Sequence, residues 1–120
     1  MIVGGIDPGK GGALAVLGTT VQVFPVPLFK FDKEKDKIDY PQLASEWMAA
    51  LRNCDHVFIE LVGAMPKNTP NGMFNFGYAA GAMYMLVLLS GVPHTFITPQ
   101  KWKKVVGIAK GSDKEQSRRR

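Results

Sequence analysis

Two acidic residues stand where apolar sequence predicts buried strands. Asp7 closes the run Met1-Ile2-Val3-Gly4-Gly5-Ile6, and Glu60 is lodged inside His56-Val57-Phe58-Ile59-Glu60-Leu61-Val62. An ionised carboxylate is rarely buried without a counter-charge, hydrogen bonds or a metal, so each acid asks for a partner that its apolar neighbours do not supply. Buried strands joined by a crossover containing a helix usually lie side by side, which would bring the two carboxylates together. Like charges a few ångströms apart repel, and a hard divalent cation with oxygen ligands, Mg²⁺ or Mn²⁺, relieves that repulsion. For Asp7 alone a plainer reading stays open, in which its oxygens cap the backbone amides of the Gly-rich turn that follows.

The flanking sequence predicts the elements that would position the pair. Pro8-Gly9-Lys10-Gly11-Gly12 supplies turn chemistry, and Ala13-Leu14-Ala15-Val16-Leu17 is the antiparallel partner of the first strand. A short Gly18-Thr19 turn leads to Thr20-Val21-Gln22-Val23-Phe24-Pro25, the third strand of a meander that Pro25 and Pro27 end. Lys30 to Asp39 mixes charges with few apolar residues, which predicts an exposed loop. From Tyr40-Pro41 onward, Leu43, Ala44, Trp47, Met48 and Leu51 recur at helical spacing behind an Asp39 and Pro41 start signal. That helix supplies the crossover into the Glu60 strand, which reads as apolar on both faces and therefore central and parallel.

After Gly63 come a Pro- and Gly-rich segment, Ala64 to Gly72, then Met73-Phe74-Asn75-Phe76-Gly77 and a long apolar helix to Leu89. Lys67, Phe74 and Phe76 follow the strand that carries Glu60, where a lysine and two rings could grip phosphate and stack on a base. Either ring could instead pack beneath the helix. Gly77 and Gly81, four apart, would admit another backbone, whether of the sheet beneath or of a second subunit. Val92 to Ile97 is a short strand, and Thr98 with Pro99 opens a helix, Gln100 to Val106. On it Trp102, Val105 and Val106 turn inward, and Lys101, Lys103 and Lys104 turn partly outward. Ser112 and Glu115 form a capping box for a last helix that runs into Arg118-Arg119-Arg120. His56 and His94 are given no role.

A chain of 120 residues, 46% hydrophobic, suffices for one domain with a core and not for two. The single Cys54 cannot form an internal disulfide and reads as a small core or helix-end residue. No cleavable signal precedes the first strand, so the expected compartment is the reducing cytoplasm. The most apolar stretch, Tyr78 to Leu89, is shorter than the roughly 20 residues of a membrane crossing and is interrupted by Gly81. It is expected to be a buried helix with no membrane role. The net charge of +5 is unevenly placed: residues 1–100 hold seven basic and eight acidic side chains, residues 101–120 eight and two. Such a basic end suits a phosphate backbone, although charged tails also serve solubility. A membrane surface would suit it too, but would leave the acids unexplained.

Gly5-Ile6-Asp7-Pro8-Gly9, Ile59-Glu60, Met65-Pro66, Phe74-Asn75-Phe76-Gly77, Thr98-Pro99-Gln100-Lys101-Trp102-Lys103 and Asp113-Lys114-Glu115 form an ordered series. In order and spacing it resembles the RuvC-like Holliday junction resolvases, especially their phage-type members, over almost the whole chain. The resemblance implies an α/β, ribonuclease-H-like fold: a mixed sheet, with an antiparallel three-strand meander plus parallel strands, flanked by helices in one domain over residues 1–120. It implies a homodimer that cuts four-way DNA junctions by paired symmetric nicks with Mg²⁺ or Mn²⁺, in the cytoplasm of a bacterium or a phage-infected host. Asp7 matches the family's first metal-binding, catalytic acid and Glu60 the second. The remaining acidic ligands would lie on a helix past Asp113-Lys114-Glu115 that the sequence does not reach. The last helix is therefore expected to be incomplete, and this chain to hold metal loosely, with the DNA phosphate completing the ion's shell. Lys67, Phe74 and Phe76 match the DNA-contacting region, and Lys10, Lys101, Lys103, Lys104, Lys110, Lys114 and Arg118 complete the residues expected to meet DNA. An alternative keeps the fold but binds branched DNA without cutting it. The Asp-Pro-Gly-Lys-Gly-Gly turn also resembles the phosphate loops of sugar-kinase and actin-like ATPases, whose second lobe this length cannot accommodate.

Overall fold

Period-two alternation sets which face each strand buries. In β1 (Val3–Asp7) Gly4 and Ile6 are buried, in β2 (Ala13–Leu17) Leu14 and Val16, and in β6 (His56–Glu60) Val57 and Ile59. The computed structural model describes residues 1–30, 36–61 and 69–98. Besides these strands it holds β3 (Val21–Pro25), β4 (Leu28–Phe29), β5 (Lys37–Ile38), β7 (His94–Ile97), and the helices α1 (Tyr40–Leu51) and α2 (Pro70–Ser90). Five strands form one sheet in the order β3-β2-β1-β6-β7, antiparallel across the meander and parallel from β1 through β6 to β7. This is the mixed sheet expected of a ribonuclease-H-like fold.

Both helices contribute to one core on the same face of the sheet. Leu43, Trp47, Ala50 and Leu51 of α1 and Ala79, Met83 and Val87 of α2 cluster with Ile6, Leu14, Val16, Val57 and Ile59. α1 begins as its sequence predicts: Asp39 Oδ1 accepts the Gln42 N–H at 3.1 Å, and Pro41 occupies the first turn. Cys54 is buried and unpaired just beyond that helix, and its thiol meets the Ala50 carbonyl oxygen at 3.6 Å. Among the described residues, the indole N–H of fully buried Trp47 finds no acceptor, so that ring is held by packing alone.

Three expectations are corrected. The stretch from Lys30 to Asp39 is not wholly loop, because Leu28 pairs with Ile38 and Phe29 with Lys37 in a two-stranded ribbon. Ile38 packs against the core, which draws in the end of the charged run; residues 31–35 lie outside the described set. The Glu60 strand is not apolar-buried on both faces, since Phe58 is exposed on the side away from the helices. Finally, α2 begins earlier than expected and is not a buried helix: of its residues only Ala79, Met83 and Val87 are buried. Thr69 caps it by accepting the Gly72 N–H at 3.0 Å, so Met73 to Gly77 are already helical, and the element runs 21 residues to a left-handed Gly91. By length and composition it could cross a membrane, yet one of its faces belongs to the core. The helix expected over Gln100 to Val106 and the last helix lie outside the described residues.

Two predictions concern stability. Trp47→Ala should cost about 3–5 kcal/mol in urea unfolding, whereas Asp39→Ala, which removes only a cap, should cost about 1 kcal/mol. Equal losses would contradict the packing described. Burial, with Asp55 adding to it, pushes the Cys54 thiol up, and burial followed by the charge of Tyr78 pushes the Tyr40 hydroxyl up. The folded chain thus keeps these protons to higher pH than the unfolded chain. The contribution of these two groups to stability should fall as pH rises past the unfolded thiol value of about 8.5, then again past about 10. Urea midpoints measured across that range should show a shallower first decline in Cys54→Ala.

Candidate metal and nucleic-acid site

The turn that carries Asp7 is built on two glycines. A β-carbon on Gly12 would collide with the Asp7 backbone carbonyl, so only glycine can follow the strand so closely there. Gly9 has φ +113°, a conformation that side chains disfavour. The Gly12 N–H donates to the Gly9 carbonyl at 3.2 Å and closes the turn, while the Val26 N–H donates to the Gly12 carbonyl at 3.1 Å. With its amide so engaged, Gly12 does not donate to the acid, and among the described residues no hydrogen bond reaches the Asp7 side chain. The reading in which Asp7 caps its own turn is therefore set aside.

Register brings the two acids together. β1 and β6 run parallel with Ile6 beside Ile59, both buried on the helix side. Asp7 and Glu60 each come one residue later and so occupy the opposite face, at the carboxyl ends of neighbouring strands that run roughly 4.8 Å apart. Neither acid is buried as the sequence suggested: Asp7 is exposed and Glu60 half-exposed. The burial cost expected of an acid in a strand is thus avoided at Asp7 and kept in part at Glu60. Beneath the pair, Gly5 stands beside Phe58 with nothing within 4 Å of where its β-carbon would be. His56 shares that face and meets the Thr95 hydroxyl at 2.8 Å.

Hard carboxylate oxygens on two adjacent strand ends suit a cation such as Mg²⁺ or Mn²⁺ in donor type. Among the described residues no cluster of three or more His, Cys, Asp and Glu is present, so the pair supplies only part of a coordination shell. The other residues expected to meet DNA divide into three groups. Lys10 is exposed at the tip of the Asp7 turn, and Phe74 is exposed on α2. Phe76 is half-buried, because its ring lies against Gly9, 3.1 Å from where a β-carbon would sit; it packs the start of α2 onto the Asp7 turn and offers little free surface. Lys67, Lys101, Lys103, Lys104, Lys110, Lys114 and Arg118 lie outside the described residues. Sequence reasoning missed the surface formed by His56, Phe58 and Thr95 beside the acids. The alternation His-Val-Phe-Ile-Glu carried that signal, since it groups Glu60 with His56 and Phe58.

Solved structures share this architecture. Thermus thermophilus RuvC in complex with Holliday junction substrate superposes with a TM-score of 0.65 at 21% identity, over 88% of this chain and 69% of that one. A second T. thermophilus RuvC structure gives 0.53 at 20% identity, over 87% and 68%. No protein-family model and no curated protein matches the sequence. The chain therefore has the ribonuclease-H-like fold in its RuvC-like form.

Gly9→Ala should destabilise the chain by about 1–3 kcal/mol through backbone strain. Adding Phe76→Ala, which removes the neighbouring ring, should not restore the loss. Recovery in the double variant would show that crowding against the ring, and not φ, requires glycine there.

Proposed function

We propose that this chain is the core of a divalent-metal-dependent endonuclease that acts on branched DNA, resolving four-way junctions by paired symmetric nicks. The observation that carries this reading is the placement of Asp7 and Glu60 on one sheet face at neighbouring strand ends, in a fold shared with a RuvC solved on Holliday junction substrate. Two carboxylates alone would repel a phosphodiester. A divalent cation held by the two acids would cancel their charge, and when bound it would supply Lewis-acid activation of the phosphate and of a water molecule. Asp7 and Glu60 would hold that Mg²⁺ or Mn²⁺, Phe76 would seat the Asp7 turn, and Lys10 would offer a charge to the backbone from the turn tip.

Affinity would come mainly from residues 101–120, whose eight basic and two acidic side chains suit phosphate neutralisation. Two symmetric nicks call for two such sites, hence a homodimer, and the proposed setting is the cytoplasm of a bacterial or phage-infected cell. A second reading, a module that binds junctions without cutting, is favoured by one observation: no third acid joins the pair among the described residues.

Labelled four-way junctions incubated with the chain and Mg²⁺ or Mn²⁺ separate the two. On the enzyme reading paired nicks appear, and Asp7→Asn or Glu60→Gln removes several kcal/mol of charge stabilisation, lowering the rate by on the order of 10³-fold. Junction binding should survive both substitutions and weaken steeply with salt. Binding without nicking under either metal establishes the module; equal affinity for linear duplex overturns both.

A further inference from the structure

β3 stands at one end of the five-stranded sheet, and among the described residues no strand lies beyond it. Two hydrogen bonds fix which of its backbone groups are left over. The Val26 N–H donates to the Gly12 carbonyl at 3.1 Å and the Gly18 N–H to the Thr20 carbonyl at 3.0 Å, so Thr20, Gln22, Phe24 and Val26 turn their peptide groups toward β2. Bonded and non-bonded positions alternate along an antiparallel pair, and the peptide groups of Val21 and Val23 therefore point out from the edge. Their side chains are open too: Val21 is 67% exposed and Val23 58%, beside Leu17 at 50%. Edge strands are ordinarily guarded by a lysine, another charge or a bulge. Residues 11–29, which contain β2 and β3, hold no charged side chain. Pro25, with no N–H to offer, bounds the edge at its far end.

We propose that this edge pairs with the same edge of a second copy of the chain, antiparallel about a two-fold axis at Gln22, so that two sheets become one. The bonding pattern is its own complement. Val21 of one copy falls opposite Val23 of the other, and each such pair exchanges an N–H and a C=O in both directions. Gln22 meets Gln22 at a non-bonded position, where each carboxamide can donate to the other. On the face away from the helices, the valines of both copies continue the rows that Ala15 and Leu17 begin, and aliphatic side chains meet across the seam with no charge to separate them.

A strand of a different protein is the poorer occupant. Strands added to an edge are selected through their alternate side chains, and β3 carries no charge by which to select one, whereas its symmetry suits a copy of itself. A contact one five-residue strand long buries less than the roughly 1,000 Å² of a stable interface. It is therefore a weak association, added to the homodimer that paired nicking would call for, and it does not rest on the proposed function.

Disulfide trapping in the full chain, in a Cys54→Ala background, tests this register without DNA or metal. Cα atoms of a non-bonded antiparallel pair stand about 4.5 Å apart, within disulfide reach, whereas position 20 and its symmetry mate would stand roughly 14 Å apart. Gln22→Cys should oxidise to a covalent dimer at least ~10-fold faster than Thr20→Cys. Val23→Pro removes an outward N–H and leaves the bonds to β2 in place; added to Gln22→Cys, it should slow the cross-linking by about 10-fold. Val23→Lys, which guards the edge with a charge, should also slow it while circular dichroism and the urea midpoint stay unchanged, so a folding defect in the proline variant does not decide the outcome. A dimer formed through another surface would not single out position 22. Equal cross-linking at positions 20 and 22 overturns the proposal. So does cross-linking of Gln22→Cys that Val23→Lys leaves unchanged, or none up to about 1 mM chain.

Discussion

The parallel pairing of β1 with β6 is the constraint on which the rest depends. It is fixed at its start, five residues from the acids, by a reciprocal clamp. The Ile2 N–H donates to the Asp55 carboxylate at 2.7 Å, and the Asp55 N–H donates to the Ile2 carbonyl at 2.7 Å. Gly4 then lets the strands close over the core, because a β-carbon there would come within 3.2 Å of Cys54 Sγ and 3.3 Å of Val57. A slip of one residue would send every side chain of one strand to the other face. Ile6 would leave the core, and Asp7 would turn toward the helices, away from Glu60. Core burial and the meeting of the acids are thus one geometric condition, and the hydrophobic cost of losing Ile6 protects the placement of a carboxylate that contributes nothing to packing.

α2 extends that condition into the site. Its buried stripe holds it on the sheet, and one turn before that stripe Phe76 lies on Gly9, so the helix and the Asp7 turn are in direct contact. The helix follows β6 directly in the chain and leads on to β7. A displacement of α2 would therefore act on the Asp7 turn through Phe76.

Much of this was legible in the sequence, for identifiable reasons. The meander followed from apolar runs separated by Gly-rich turns, and α1 from the spacing of Leu43, Trp47 and Leu51 behind Asp39 and Pro41. The parallel placement of the Glu60 strand followed from the helix that precedes it. What failed were judgements of burial. Apolar composition predicts a buried interior for α2 and for both faces of β6, but composition cannot distinguish a face against the core from a face turned away from it. The apolar neighbours of Asp7 predict burial, whereas a strand end can carry its last side chain outside the core. The ribbon of β4 and β5 escaped because two-residue strands leave no periodicity to read. Phe76 could be placed only once Gly9 and α2 shared a coordinate frame, since the contact joins segments with 66 intervening residues.

Charge divides the molecule in a way that bears on the proposed chemistry. Residues 1–100, which contain both acids, are almost neutral overall, and the excess of positive charge sits in residues 101–120. A phosphate backbone drawn to the basic segment would still meet two carboxylates at the carboxyl ends of β1 and β6, and those would oppose its approach until a divalent cation cancels their charge. Binding and cutting would then rest on different parts of the chain and respond to different ions. Affinity would fall with monovalent salt because counterions are released from the backbone. Turnover would require a divalent ion because only that cancels the paired charge of Asp7 and Glu60. A chain that held its acids loosely would lose the second property long before the first, so a junction-binding module and a junction-cutting enzyme on this fold differ by oxygen ligands and not by architecture.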